Sequence, residues 1–384
     1  MRPLPLIIIL LVLNHVAFNG SRIAVSLYAI HEGATTFAVG SLVALYALLP
    51  ALSSVKAGRW IDRRGIHKPM LLGSAGIGIG TLTPFLVGQT WSLYITAVLV
   101  GLSFMLINVA AYHAVGELSA PEDRQANFSY VAIGFSTSGF VAPLLTGMTI
   151  ESLGYRACFL ILALFTVMPL LAMLARLLPE GHREAKPGSG ERGHVFELLR
   201  DAELRRLFIA MAILTVGWDI YNFAIPVYGA QIGLRPSQIG IVMGAFAAAT
   251  FAVRLAMPFV AHRVQPWGLL GAALLVSGLA YVAIPFTQSV ALLMALAFLL
   301  GLGLGAPQPT ILTLLHQSAP QGRAAEALGL RTTLINSSQT VMPVVFGALG
   351  AALGVAPLFW GMAATMLLGA AGSRRHTGSS PPQV

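Results

Sequence analysis

Apolar residues run through this chain in blocks of about twenty, the length that crosses a bilayer core as a helix, with polar breaks between them. Read by period and length, the blocks predict twelve spans, over residues 5–29, 37–57, 68–88, 92–115, 127–150, 157–177, 207–230, 238–261, 267–286, 290–314, 325–349 and 354–372. Most breaks carry turn residues, as at Gly88-Gln89-Thr90 and Ser119-Ala120-Pro121. One break is long. Pro179 to Arg206 is rich in glycine and charge and separates six spans from six. Its first part, Glu180 to Gly193, has the composition of a flexible linker. In His194–Arg206, Val195-Phe196 and Leu198-Leu199 sit among charges, as in an amphipathic helix lying on a membrane surface. The expected organisation is a six-helix bundle over 1–177, a linker over 178–206, and a second six-helix bundle with a short tail over 207–384.

The two halves repeat. At an offset of 200, Tyr28 meets Tyr228, Gly40 meets Gly240, Arg63 meets Arg263, Asn108 meets Gln308, Pro143 meets Pro343, Gly147 meets Gly347 and Phe159 meets Phe359. Two parallel six-helix repeats are an architecture of secondary transporters, whose halves rock about a site near the bilayer midplane.

Composition narrows the class. With 56% hydrophobic residues and only 14 acids and 23 bases in 384 residues, there is too little charge to coat a soluble domain. The chain reads as an all-α, multi-pass membrane protein whose surroundings are a lipid bilayer. The first block follows Arg2 and contains Asn14, Asn19 and Arg22 without a small-residue cleavage site, so it reads as a retained helix and not a signal peptide. The net charge of +9 is spread over loops, which fits membrane topology and not a nucleic-acid surface. Arg59, Arg63, Arg64, Lys68, Arg124, Arg263, Arg323 and the linker bases fall on one side, against Arg156 and Arg235 on the other. That asymmetry predicts cytoplasmic termini in a plasma (inner) membrane. The lone Cys158 leaves no disulfide framework or cysteine metal cluster. His31-Glu32-Gly33 stops short of a zinc-protease motif, no phosphate-cradling GxxxxGK[ST] loop is present, and Gly73-x-x-Gly76-x-Gly78-x-Gly80 lies inside an apolar span, where it serves close packing. Neither an enzyme nor a cofactor or metal is expected.

The densest charge lies between spans two and three, in Ala57-Gly58-Arg59-Trp60-Ile61-Asp62-Arg63-Arg64-Gly65-Ile66-His67-Lys68-Pro69. A faded copy, Pro258–Pro266, lacks the aspartate. The spacing Gly58-x-x-x-Asp62-Arg63-x-Gly65-x-x-Lys68-Pro69 resembles the loop motif of the major facilitator superfamily. Gly139-x-x-x-Pro143-x-x-x-Gly147 is similar to that family's antiporter motif, with Ala142 where a glycine commonly precedes the proline. Pro121-x-x-Arg124 and Gly154-Tyr155-Arg156-x-x-Phe159 also fit. The resemblance covers essentially the whole chain and extends to the drug:proton antiporter-like branch. It implies twelve helices in two pseudo-symmetric six-helix bundles, with Gly58, Asp62, Arg63, Gly65, Lys68, Gly139, Pro143 and Gly147 in gating. In that family the loop aspartate caps the start of span eleven and helps hold the cytoplasmic gate shut. The family often has an arginine in span four, and Leu93–Val115 has none.

Of the fourteen acids, Asp219 alone lies near the middle of a span. A charge at that depth costs about 3 kcal/mol on insertion scales, so it faces a cavity or a partner. It is a candidate proton carrier, or else a salt-bridged structural acid. His15 is the second titratable candidate, with a hydrogen-bonded packing role as its alternative. His15, Asn19, Arg22 and Ser26 share one helical face, and Thr215, Asp219, Asn222 and Pro226 form its counterpart in span seven. By the resemblance, these helices line a central cavity with spans four and ten, where Asn108, Tyr112 and Gln308 project. Asn19, Arg22, Asn108, Tyr112, Trp218, Asn222 and Gln308 are therefore the candidate substrate-binding residues. Arg22 suits either an anionic substrate group or a pairing with Asp219. Arg254 is the rival partner, and Arg331 is a further charge-pairing candidate, both with snorkelling as the alternative. The expected activity is alternating-access, proton-coupled efflux of a small organic compound by a monomer. Uptake of an organic anion, uniport, and a non-transporting receptor or assembly factor stay open.

Overall fold

The computed structural model describes residues 3–120, 123–178, 200–260, 265–318 and 324–374. Among them the regular structure is helical, without a strand. Helix is what an apolar chain adopts where lipid offers its backbone no hydrogen bonds. The order is α1 (Pro3–His31), α2 (Thr36–Arg64), α3 (His67–Val87), α4 (Ser92–Leu118), α5 (Arg124–Leu164), α6 (Val167–Leu174), α7 (Ala202–Gln231), α8 (Pro236–Val260), α9 (Pro266–Ala283), α10 (Val290–Gly305), α11 (Pro307–Ser318), α12 (Ala324–Leu353) and α13 (Ala356–Arg374).

These thirteen helices map onto the twelve expected spans, with informative breaks. The fifth and sixth spans are joined in α5, which changes direction at Gly154 (φ 85°). That left-handed conformation disfavours a side chain, and glycine alone adopts it freely. The sixth span then breaks at Phe165-Thr166, where the Thr166 hydroxyl donates to the Ala163 carbonyl at 2.7 Å. The tenth breaks between α10 and α11 at Ala306-Pro307, because Pro307 lacks an N–H and its ring crowds the preceding turn.

The helices pack as two compact units. One comprises residues 1–188 with 229–244, and the other residues 189–228 with 245–384. Within the first, Asn14 Nδ2 donates to the Leu10 carbonyl (2.9 Å) and to Ser74 Oγ (3.2 Å), joining α1 to α3. Thr96 Oγ1 donates to the Gly80 carbonyl (2.8 Å), joining α4 to α3. Arg156 donates from Nε (3.1 Å) and Nη2 (2.7 Å) to the Phe85 carbonyl at the end of α3. Within the second, α7 starts under an Asp201 cap, with Leu204 N–H donating to Oδ1 at 2.9 Å. The buried Tyr281 hydroxyl donates to the Gly217 carbonyl (2.5 Å), tying α9 to α7.

The repeat read from the sequence reappears as geometry along the chain. A Cβ added at Gly101 would stand 2.4 Å from the Tyr46 carbonyl oxygen, and one at Gly301 would stand 2.3 Å from that of Phe246. Both members of each pair keep the offset of 200. Tyr28 lies against Phe159 and Tyr228 against Phe359, with centroids 6.2 and 5.6 Å apart, tilted at 52° in the first pair and edge-on at 84° in the second. The backbone turns at Gly33 (φ 80°) and Gly233 (φ 77°) match, as do Gly154 and Gly354 (φ 84°).

Candidate functional site

The first unit carries one polar stripe on α1. His15 Nδ1 shares a short hydrogen bond with Ser138 Oγ of α5. Its ring is enclosed by Phe18, Phe104 and Phe135, with centroids at 6.0, 5.2 and 4.5 Å. One turn on, Asn19 is half-buried. The Arg22 guanidinium carbon stands 5.8 Å from the centroid of Phe18, within cation–π range. Ser26 Oγ donates to the Arg22 carbonyl at 2.9 Å.

The facing stripe on α4 is Phe104, Asn108 and Tyr112, spaced four apart and so on one face. Asn108 Oδ1 is buried without a hydrogen-bond partner among the described residues. Tyr112 is 41% exposed and stacks on Phe128 and Phe135, with centroids at 6.0 and 6.3 Å. Phe18, Phe104 and Phe135, which the sequence does not single out, thus form an aromatic wall that links the two stripes.

Beside this wall lies a cleft of about 920 Å³ whose lining includes Ile8, Val12, Asn127, Tyr130, Thr137 and Asp123. Its size matches a drug-sized ligand. The sequence does not single it out, because Ile8 and Val12 are plain aliphatic positions of α1, and Asn127, Tyr130 and Thr137 are scattered polar and aromatic positions of α5.

In the second unit Asp219 is 9% exposed. Its Oδ2 accepts a hydrogen bond from Ser338 Oγ of α12 at 2.5 Å. Asn222 Nδ2 donates to the Trp218 carbonyl at 2.8 Å. Trp218 meets Phe246 edge-on at 4.8 Å, and Tyr221 stacks on the same ring at 4.1 Å. Arg331 Nη2 donates to Gln308 Oε1 at 3.0 Å, joining α12 to α11. The Nε of Arg331 is buried without a partner among the described residues. Arg331 and Ser338 are seven apart, on one face of α12. That face is a polar stripe beyond the two the sequence had suggested. The i, i+7 spacing of Arg331 and Ser338 was its available signal. Arg254 is half-buried on α8.

The basic stretch differs from the expected loop. Helix α2 continues through Gly58 to Arg64, and Gly65 ends it, with φ 72° and its N–H donating to the Ile61 carbonyl at 2.8 Å. Nothing between residues 57 and 65 breaks a helix strongly. Charge alone does not end a helix once it has left the bilayer. Arg63 and Lys68 are exposed, and His67 Nε2 donates to the Met173 carbonyl at 2.7 Å. The side chains of Asp62 and Arg124 lie outside the described residues, as do the residues between Ala261 and Val264 in the faded copy. So does most of the linker. Within His194–Arg206, the described Ala202–Arg206 form the first turn of α7.

Along α5, Gly139 has open space around it. A Cβ at Gly147 would meet the Pro236 carbonyl oxygen at 2.4 Å, and one at Gly240 the Pro143 carbonyl oxygen at 2.4 Å. Past this close contact, Arg235 Nη1 bonds Glu151 Oε1 at 2.8 Å, and Ser237 N–H donates to Glu151 Oε2 at 3.3 Å.

A family model described as "Major Facilitator Superfamily" matches residues 7–333 and 207–377. The chain belongs to that superfamily. As a member it is a transporter and a multi-pass membrane protein. Its relatives include the multidrug resistance protein MdtG of Salmonella paratyphi A (strain ATCC 9150 / SARB42), 26% identical over 345 residues that cover 86% of this chain and 83% of the relative. MdtG of Citrobacter koseri is 25% identical, covering 86% and 82%. Among solved structures, a POT family transporter in complex with 5-aminolevulinic acid has a TM-score of 0.79 at 16% identity, covering 98% of this chain and 97% of that one. A bacterial homolog of the human lysosomal transporter Spinster has a TM-score of 0.74 at 15% identity, covering 98% and 96%. At such identities these structures establish the major facilitator fold, twelve helices in two pseudo-symmetric bundles, and no more.

Proposed function

We propose that this transporter exports a small, largely apolar organic compound by alternating access, driven by inward movement of protons. The observation that carries the proposal is Asp219. It is a carboxylate buried in an apolar helix and held by the Ser338 hydroxyl. A buried acid of this kind is retained at a cost and marks an ion or proton pathway by default. In this reading the carboxylate takes a proton from one side and releases it to the other, with His15 as a second titratable group. Asn19, Arg22, Asn108, Tyr112, Trp218, Asn222 and Gln308 orient the substrate, and the cleft of about 920 Å³ accepts its apolar body. The segment Gly58–Lys68, with Asp62 and Arg63, gates one face, while Gly139, Pro143 and Gly147 set close packing on α5. Arg254 and Arg331 balance charge. The division into 1–177, 178–206 and 207–384, cytoplasmic termini in an inner membrane, and action as a monomer complete the reading. Relatives named as multidrug resistance proteins support efflux over uptake.

The experiment begins with an accumulation screen of metabolites and drugs in cells lacking or overexpressing the protein. The strongest hit is then followed in proteoliposomes with and without a pH gradient. The wild type is expected to respond to the gradient. Asp219→Asn is expected to lose that response while still exchanging substrate across the membrane. A wild type indifferent to the gradient removes the proton, and equal responses in both proteins remove Asp219 as its carrier. No substrate-dependent flux for any compound would instead favour a receptor.

A further inference from the structure

The second unit has a feature that transport leaves unused. Two cavities lie along the seam between α7 and α13, of about 460 Å³ and about 350 Å³, and both are lined by Ile213 and Thr365. Shared walls make them one trough. It runs along α7 from Arg206 to Ile220, which is about 21 Å of helix rise. That exceeds the half-thickness of a hydrocarbon core, about 15 Å. Its sides are open, since Ile209, Leu353 and Leu368 are 54%, 63% and 74% exposed. A Cβ at Gly361 or Gly372 would meet nothing within 4 Å, so the floor is open at both places. The Thr365 hydroxyl donates to the Gly361 carbonyl at 2.8 Å and makes no polar demand on an occupant.

Among the described residues, charge occurs at one end: Arg206 is the single charged one lining the trough, and Trp267 sits at the same end. The nearby acids are engaged elsewhere: Asp201 caps α7, and Glu203 accepts from Ser318 Oγ at 3.1 Å. A cation beside an indole, above an apolar channel that is long and narrow, matches a phosphodiester headgroup above an acyl chain. We infer that this seam binds one anionic glycerophospholipid, with its phosphate on Arg206 and one acyl chain lying along α7 and α13. A sterol would have no use for the cation, and a free phosphate no use for the trough.

The test uses the purified full chain in detergent, titrated with 1-palmitoyl-2-oleoyl phosphatidylglycerol or the matching phosphatidylcholine and read by native mass spectrometry. One phosphatidylglycerol is expected to be retained in preference to phosphatidylcholine. Arg206→Gln is expected to weaken its binding about fivefold, the effect of one arginine near an anionic headgroup, and Arg206→Lys to restore most of it. Gly361→Leu with Gly372→Leu fills the trough and is expected to abolish retention with Arg206 intact. Glycerol 3-phosphate is expected not to compete. Equal retention of the two lipids with Arg206→Gln silent overturns the proposal. So does retention unchanged in the filled trough, and so does competition by glycerol 3-phosphate, which would make the site one for a free phosphate ester. None of these outcomes depends on whether Asp219 carries a proton.

Discussion

At Asp219 one hydroxyl offsets part of the cost of burying an acid in an apolar helix. A hydrogen bond to a charged group contributes about 1.5–3 kcal/mol, a sizeable share of the roughly 3 kcal/mol that such a residue costs at mid-membrane. Ser338→Ala should therefore reduce gradient-driven flux by about tenfold, equivalent to ~1.4 kcal/mol. Ser338→Thr, which keeps the hydroxyl, should restore it. A Ser338→Ala protein with unchanged flux would show that the 2.5 Å contact plays no part in coupling. Ser338 also shows what a sequence conceals. A search for membrane-embedded ionisable groups finds Asp219 at once, yet a serine in an apolar helix usually satisfies itself on its own backbone, as Ser26 does here. Only the placement of α12 reveals that this hydroxyl donates to an acid instead. Phe18, Phe104 and Phe135 were hidden for the same reason, since their role around His15 depends on three helices converging.

Between elements, close approach decides more than charge. Gly101 and Gly301 let helix backbones touch at Tyr46 and Phe246, so a methyl at either position forces two backbones apart. Gly101→Ala and Gly301→Ala should each destabilise the protein by about 1–3 kcal/mol. Both should appear as lowered thermal unfolding temperatures in detergent, and by similar amounts, because the two contacts are copies. A large difference between them would mean that the repeat is not preserved in packing. A second element-level expectation concerns α3. Arg156 supplies two bonds to the Phe85 carbonyl, where the helix dipole is negative. Arg156→Ala should cost about 1–2 kcal/mol in the same assay. The helices themselves were legible because twenty-residue apolar blocks have few alternatives. Their ends were not. The charged run after residue 57 reads as a loop by composition, yet it holds no strong breaker before Gly65, and α2 runs on to it. The interruption at Ala306-Pro307 is not legible in the sequence, because Pro307 lies inside a block apolar enough to read as a single span.

At the scale of the whole molecule, sequence and packing divide the chain at different places. The charged linker separates six spans from six, whereas residues 229–244, the end of α7 and the start of α8, pack with the first unit. Two kinds of contact hold that segment there. One is steric: Gly147 lies under the Pro236 carbonyl and Gly240 under that of Pro143. The other is the Glu151–Arg235 pair, whose side chains are 31% and 66% exposed. Exposed pairs contribute little and are screened by salt, while forcing a side chain into a backbone contact costs about 1–3 kcal/mol or more. Packing should therefore dominate. Glu151→Gln is expected to lower thermal stability slightly at low salt, and the difference from wild type should vanish at high salt. Gly147→Leu is expected to lower it severalfold more at either salt concentration, and to abolish flux of whichever substrate the accumulation screen identifies. If Glu151→Gln instead proved as damaging as Gly147→Leu, and insensitive to salt, the ion pair with its Ser237 bond would be the principal restraint on this segment. The glycines would then be only the means by which α5 and α8 come close enough for Glu151 to reach Arg235.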